Sequence, residues 1–350
     1  MIRKISAIIL AVIFLFNLTA CGSQKATRFE AEFLELFDTM TKIVGYADSK
    51  EEFSKFSQLV YDDLKTYHEL YDIYNNYDGI NNLKTINDNA GIKPVKVDGK
   101  IIDLLLFGRD WYEKTNGKMN IAYGAVLSIW HKYREAGTDD PDNAELPPMD
   151  QLQEASKHTD INKLLIDEAN STVFLEDPKM SLDVGAIGKG YATEQVSRQV
   201  MRSGYSSALI SVGGNVRAIG NKADSGKSWK VGIQNPHGDG TDLKLPVVSL
   251  ADDSLVTSGD YERYYTVAGK NYHHIIDPGT LFPAMYFTSV TIICKDSGIS
   301  DALSTSVFNM PYDQGVKLIE SLPDVDALWI FKDDSIKYSS HFKDYVEKER

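Results

Sequence analysis

The stretch Met180-Ser-Leu-Asp-Val-Gly-Ala-Ile-Gly-Lys-Gly-Tyr-Ala-Thr-Glu-Gln-Val196 decides how the chain is read. Met180, Leu182 and Val184 alternate with polar neighbours, which predicts a strand. Ala192, Val196 and Val200 recur at four-residue spacing and stop before Gly204, which predicts a helix over Tyr191–Arg202. Between them lie Gly185, Gly188 and Gly190, with Asp183 and Lys189 on either side. Glycines admit a ligand close to the backbone, and the free N–H groups at a helix start attract anions, phosphate above all. Lys189 adds a point charge. The order G-x-x-G-x-G is not the dinucleotide fingerprint, and the lysine is not followed by Ser or Thr as in a phosphate-binding P-loop. Read alone, the turn is open to two readings: an anion site or a tight strand-to-helix connection.

Other phrases add oxygen and imidazole chemistry. A second glycine pair, Gly213-Gly214, ends the apolar run Ala208–Val212 and is followed by Asn215. Asp301 and Thr305 stand four residues apart on a predicted helix over Ile299–Met310, so both oxygens share one face. Two hard oxygens suit Mg²⁺ better than zinc; an acid in a first helical turn beside a hydroxyl is the plainer alternative. Thr257-Ser-Gly-Asp-Tyr-Glu-Arg263 leads to Tyr272-His273-His274-Ile-Ile-Asp277-Pro278. Adjacent histidines on a strand face opposite ways, so one of the two can look into a site. Asp277 could orient an imidazole as a general base.

The periodicities predict an early strand over Phe33–Tyr46 and a helix over Glu51–Leu70. A short helix near Asn81–Asn87 and another over Asp103–Thr115 follow, then a surface excursion over Gly137–Pro148. Strands are predicted at Thr172–Leu175, Met180–Val184, Ala208–Val212, Lys230–Gln234, Leu245–Leu250, Tyr261–Val267 and Ser289–Cys294. Neither regular βα alternation nor a run of hairpins, this is an α+β pattern.

Arg3 and Lys4 precede the apolar run Ile5–Leu18, which is short for a bilayer span and ends in Leu18-Thr19-Ala20-Cys21. Residues 1–20 are therefore expected to be a signal peptide, residues 21–31 a tether and residues 32–350 the folded domain. The last four of these leader residues resemble a bacterial lipobox, which implies lipidation at Cys21, a palmitate-bearing membrane anchor and an extracytoplasmic location. Loss of Met1–Ala20 removes two basic residues and no acid, taking the formal charge from −13 to −15. Nucleic acid is excluded as a natural partner by that charge. With Cys21 acylated, Cys294 is left without a partner for an intramolecular disulfide, and it reads as a small buried hydrophobe.

Taken in order, Phe37-Asp-Thr-Met-Thr41, Gly117-Lys-Met-Asn-Ile-Ala-Tyr-Gly124, Leu182–Ala192, Ser211-Val-Gly-Gly-Asn215, Thr257–Arg263, His274-Ile-Ile-Asp-Pro278 and Ser300-Asp-Ala-Leu-Ser-Thr305 resemble the ApbE family, the FAD:protein FMN transferases. The resemblance implies an α+β, T-fold-related architecture of mixed and antiparallel sheets with packed helices, and an active site in a cleft between the halves. It implies FAD as substrate and Mg²⁺ as cofactor. FMN would pass through a phosphodiester bond to a threonine hydroxyl of an acceptor protein carrying a Ser/Thr-rich flavinylation motif, such as an electron-transfer flavoprotein, with release of AMP. Carried over position by position, the Ala186 carbonyl, Asp301 and Thr305 would hold the metal. Phe37, Tyr74, Lys118, Met119, Asn120, Asp183, Lys189 and Ile275 would contact FAD, and His274 would take the threonine proton with Asp277 steadying it. The chain departs from the family pattern at Phe37, where methionine is common, at Asn120, where aspartate is common, and at Leu281, where glycine is usual. Two other functions would use the same site: Mg²⁺-dependent hydrolysis of FAD to FMN and AMP, and storage of FAD by a non-catalytic lipoprotein.

Overall fold

A computed structural model of the chain describes residues 26–238 and 243–347. The leader and Cys21 lie outside the described residues. Eight strands form one antiparallel sheet: Thr27–Phe33, Thr41–Ala47, Ala208–Val212, Asn215–Ile219, Ser254–Gly259, Phe287–Cys294, Asp326–Phe331 and Ile336–Tyr338. Their order across the sheet is their order along the chain, with helices and small sheets inserted between neighbours. The α+β expectation holds.

Both faces of this sheet are covered, so alternation along a strand sorts side chains between two cores instead of between core and water. Ile43, Ile292 and Trp329 join the core beneath the helices, whereas their neighbours Val44, Ile293 and Leu328 pack with Trp229 and Phe342 on the opposite side. Phe287–Cys294 is buried at every position as a result. Cys294 is buried and free, as its apolar surroundings suggest.

Several elements differ from the sequence reading. The early strand is two strands, and Thr27–Phe33 pairs along its whole length with Thr41–Ala47, so the expected tether ends before Thr27. The loop Leu34–Met40 reverses the chain with Phe37 and Asp38 at φ of 55° and 51°. Met180–Val184 joins no sheet ladder. Asp183 N–H donates to the Ile121 carbonyl at 2.9 Å and Gly124 N–H to the Ser181 carbonyl at 3.0 Å, while a side chain meets Leu182: its N–H donates to Asn87 Oδ1 at 2.7 Å, and Asn87 Nδ2 donates to its carbonyl at 3.0 Å. The excursion over Gly137–Pro148 begins late, because a helix over Gly124–Asp139 buries Gly137 against the Tyr265 ring, where a Cβ would come within 2.6 Å.

Two helices position the site. The glycine helix, Gly188–Arg202, begins inside the quoted phrase, and the acid helix, Ser297–Phe308, carries Asp301. Small residues let both sit close to each other and to the sheet. Ser254 meets Ser300 at 2.7 Å and Ser258 meets Ser304 at 2.8 Å, which satisfies buried hydroxyls in pairs. Under the glycine helix, Glu194 accepts from Arg217 Nε at 2.9 Å with both side chains almost fully buried. At the crossing of the two helices a Cβ on Gly190 would collide with the Ser297 carbonyl and the Asp301 Cβ. Ala is the better helix former by about 1 kcal/mol, but a backbone carbonyl cannot rotate away as a side chain can. Gly190→Ala is therefore expected to lower stability by about 1–3 kcal/mol net in urea denaturation. An unchanged or raised midpoint would refute the close crossing.

Candidate active site

The glycine helix starts at Gly188 after a turn over residues 185–187; Gly188 N–H donates to the Val184 carbonyl at 2.7 Å and Tyr191 N–H to the Ile187 carbonyl at 2.9 Å, while Gly190 N–H finds its acceptor outside the helix. That acceptor is Asp301: its Oδ2 accepts from Gly190 N–H at 2.7 Å and from Asn215 Nδ2 at 3.0 Å. A single carboxylate thus joins the glycine helix, the acid helix and the strand that follows Gly213-Gly214. Burial raises the Asp301 pKa above the ordinary carboxylate value, an effect opposed by Lys189, Gly190 N–H and Asn215. The second glycine phrase is equally constrained. Gly213 has φ of 55°, and a Cβ there would come within 2.6 Å of Thr39 Oγ1, so the loop Leu34–Met40 rests directly on it.

These elements open onto one cavity of about 560 Å³. Tyr74, Lys118, Met119, Asn120, Asp183, Ala186, Lys189, His274, Ile275, Asp301 and Thr305 all line it, although they are spread over more than two hundred positions of sequence. One wall is the end of the main sheet with the acid helix. The other is a smaller apolar cluster of Tyr123, Val126, Trp130, Leu152, Tyr265 and Ile276, which anchors the helix Gly124–Asp139. The expected cleft between halves is this space.

The oxygen donors suit a hard divalent cation. Ala186, Asp301 and Thr305 meet the same cavity; Asp301 uses Oδ2 for both of its hydrogen bonds, and among the described residues Oδ1 accepts none. Among the described residues there is no cluster of three or more His, Cys, Asp or Glu of the kind that holds zinc or iron. One carboxylate, a carbonyl and a hydroxyl leave room for water and phosphate oxygens, which is the pattern Mg²⁺ favours. The donor set therefore fits Mg²⁺ with phosphate better than it fits a fully protein-ligated metal.

The two histidines separate as expected, although the strand Lys270–His273 ends before His274, which lies in a bend. His273 is buried, with Nε2 donating to the Ala284 carbonyl at 2.7 Å and Nδ1 accepting from Ile275 N–H at 3.2 Å, so both nitrogens serve structure. His274 faces the cavity. Its Nδ1 lies 3.2 Å from the Arg263 carbonyl, which can only accept, so the neutral ring carries its proton on Nδ1 and leaves Nε2 as a base. Burial pushes the His274 pKa down to about 3, with Arg263, Lys189, His273 and Arg134 adding to the shift.

Two expected residues stand elsewhere. Asp277 does not support His274; it pairs with Lys118 Nζ at 2.8 Å and accepts from Gly279 N–H at 2.9 Å, holding the Asp-Pro turn closed and Lys118 in place. Phe37 is absent from the cavity wall because its ring packs edge-on against His68, 5.5 Å away; its neighbours Asp38 and Thr39 take the lining positions. Leu281, at the position where glycine is usual, has φ of 63°. This left-handed turn is sustained by Leu281 N–H donating to the Asp277 carbonyl at 2.8 Å and by Trp130 Nε1 donating to the Leu281 carbonyl at 2.9 Å.

Further cavity residues escaped the sequence reading. Arg134 donates to His131 Nδ1 at 2.8 Å, and the His131 ring lies 5.2 Å from Tyr74 at the cavity mouth. The helix periodicity of Gly124–Asp139 was the available signal for Arg134, while Arg263 lay inside a phrase read for its hydroxyls. Asn215 ties down Asp301 from a strand that no alternation betrays.

Comparison with known proteins agrees with this geometry. The model of the ApbE family matches residues 37–329. An FAD:protein FMN transferase of Treponema pallidum is 38% identical over 277 residues, covering 75% of this chain and 74% of that protein. Another from Klebsiella pneumoniae is 32% identical, covering 73% and 76%. The crystal structure of an ApbE protein from Thermotoga maritima superposes with a TM-score of 0.79 at 29% identity, covering 92% of this chain and all of the other. The flavin transferase ApbE of Vibrio cholerae shares the fold with a TM-score of 0.73 at 22% identity. A shared family model over most of the chain and close relatives across three quarters of it place this protein in the ApbE family.

Proposed function

We propose that this protein is an FAD:protein FMN transferase that acts outside the cytoplasmic membrane from a lipid anchor at Cys21. The observation that carries the reading is the meeting of Asp301, Thr305, Ala186 and Lys189, with the first turn of the glycine helix, at one cavity. The relatives' names supply the donor and the transferred group; the Leu-Thr-Ala-Cys21 sequence supplies the location. Ala186, Asp301 and Thr305 would hold Mg²⁺, which when bound neutralises diphosphate charge.

The chain's own residues divide the remaining work. Lys189 binds the diphosphate, and Arg134 and Arg263, which line the same cavity, add positive charge. His274 Nε2 takes the proton from a threonine hydroxyl of the acceptor protein. The threonine oxygen bonds to the FMN-side phosphorus, the bond from that phosphorus to the bridging oxygen breaks, and AMP leaves with the electron pair. Positioning and electrostatics dominate such a transfer.

A base held near pH 3 is a weak one at neutral pH, and the cause of the depression suggests how it recovers. Besides burial, the groups that lower His274 are Arg263, Lys189 and Arg134, which line the cavity, and the buried His273. A bound diphosphate neutralises those charges and so raises the His274 pKa. The acid limb of kcat, which reports the substrate complex, is therefore expected at higher pH than the acid limb of kcat/KM, which reports free enzyme. Coincident limbs, or a reversed order, would remove His274 as the base.

Incubation with FAD, Mg²⁺ and a threonine-bearing acceptor is expected to give acceptor carrying covalent FMN, with one AMP released per transfer, read by mass spectrometry. Free FMN and AMP with unmodified acceptor would favour hydrolysis, and unchanged FAD would favour storage. Asp301→Asn is the informative variant. It keeps an oxygen for Gly190 N–H and Asn215 while losing the negative charge, whereas Asp301→Ala would strand two buried donors. A loss of at least about 10²-fold in transfer is expected with a near-normal melting midpoint. Undiminished transfer would rule out the proposed metal site.

A further inference from the structure

Asn309 stands one turn beyond Thr305, at the end of the acid helix. Its side chain lines the same cavity, the residue is 2% exposed, and its carboxamide oxygen has no hydrogen-bond partner among the described residues. The two nearest serines are satisfied, Ser304 Oγ donating to the Asp301 carbonyl at 3.0 Å and Ser306 Oγ to the Ala302 carbonyl at 2.6 Å, whereas Ser297 Oγ at the start of the helix, away from the cavity, is also unpaired among the described residues. A buried polar atom left unpaired is costly, and a leucine of similar size would remove that cost. An orphan acceptor at the wall of a binding cavity is explained when the bound reactant brings the donor.

We infer that Asn309 is a substrate-recognition residue whose carboxamide oxygen accepts a hydrogen bond from an aliphatic hydroxyl of a bound reactant. The inference rests on the transferase reading. A helical turn advances about 5.4 Å, so Asn309 lies about one turn from Thr305 and two from Asp301, where the diphosphate is proposed to sit. At that distance from phosphorus, FAD carries the hydroxyls of its polyol and sugar, and its ring edges are several bonds farther out. The attacking group of the acceptor is itself a hydroxyl. Both sources offer the same chemistry, an O–H that can donate to Asn309 Oδ1.

The test uses Asn309→Leu and Asn309→Ala in the otherwise intact protein, with FAD affinity measured by calorimetry in Mg²⁺ and the KM for acceptor measured separately. The melting midpoint of Asn309→Leu is expected to equal or exceed that of the wild type. If the hydroxyl belongs to FAD, its affinity falls about three- to ten-fold in both variants. If it belongs to the acceptor, FAD affinity is unchanged and the acceptor KM rises by the same factor. Wild-type constants in both variants overturn the inference while the transferase reading stands. A lowered midpoint with unmoved constants assigns Asn309 a structural role and overturns it too. Wild-type protein that neither binds FAD nor modifies acceptor overturns the transferase reading, and the inference with it.

Discussion

The Asp301 carboxylate is the joint on which the site depends. It sits 5% exposed where the glycine helix crosses the acid helix, and through Oδ2 it takes one hydrogen bond from a helix amide and one from Asn215. Burying a carboxylate is unfavourable unless donors meet it, and both donors exist because Gly190 allows the helices to touch. The same contact that stabilises the crossing uses Oδ2 alone, in a residue that lines the cavity. The carboxylate is thereby oriented by a fold contact before any reactant arrives.

Charge follows a similar logic. The chain carries 50 acidic against 37 basic residues, whereas the cavity lining balances four cations, Lys118, Arg134, Lys189 and Arg263, against four acids, Asp38, Asp183, Glu262 and Asp301. At physiological salt, interactions fade over about 8 Å, so an anionic reactant inside the cleft responds to these groups far more than to the outer surface. Burial, with Arg263, Lys189 and Arg134 adding to it, favours the neutral form of His274.

Legibility differed between elements for identifiable reasons. Helix Lys50–Tyr71 was plain because Phe53, Phe56, Val60 and Leu64 form one stripe against a single core. Strand Asn215–Ile219 was not, because all five residues are buried, including Arg217, whose charge is met by Glu194 on a distant helix. Alternation cannot appear when a sheet is covered on both faces. Met180–Val184 carried the pattern of a strand but joins no ladder, because the Asn87 side chain and the backbone of Ile121 and Gly124 take its hydrogen bonds. Of the site, Asp183, Lys189, His274, Asp301 and Thr305 were marked by local chemistry; the link between Asp277 and His274 failed because Lys118, 159 residues away in sequence, claims the carboxylate.

What the sequence determined by itself was the kind of chemistry available. Glycines beside a lysine at a helix start, an acid and a hydroxyl one turn apart, and two adjacent histidines on a strand each follow from spacing and backbone geometry. Which histidine enters the cavity, which acid binds lysine and which faces the open oxygen site, and that Asn309 ends at the same wall, were decided by the tertiary structure. The physical reason is that these outcomes depend on partners outside the local phrase, from 11 residues away for His274 and the Arg263 carbonyl to 159 for Asp277 and Lys118, brought within hydrogen-bonding distance by tertiary packing.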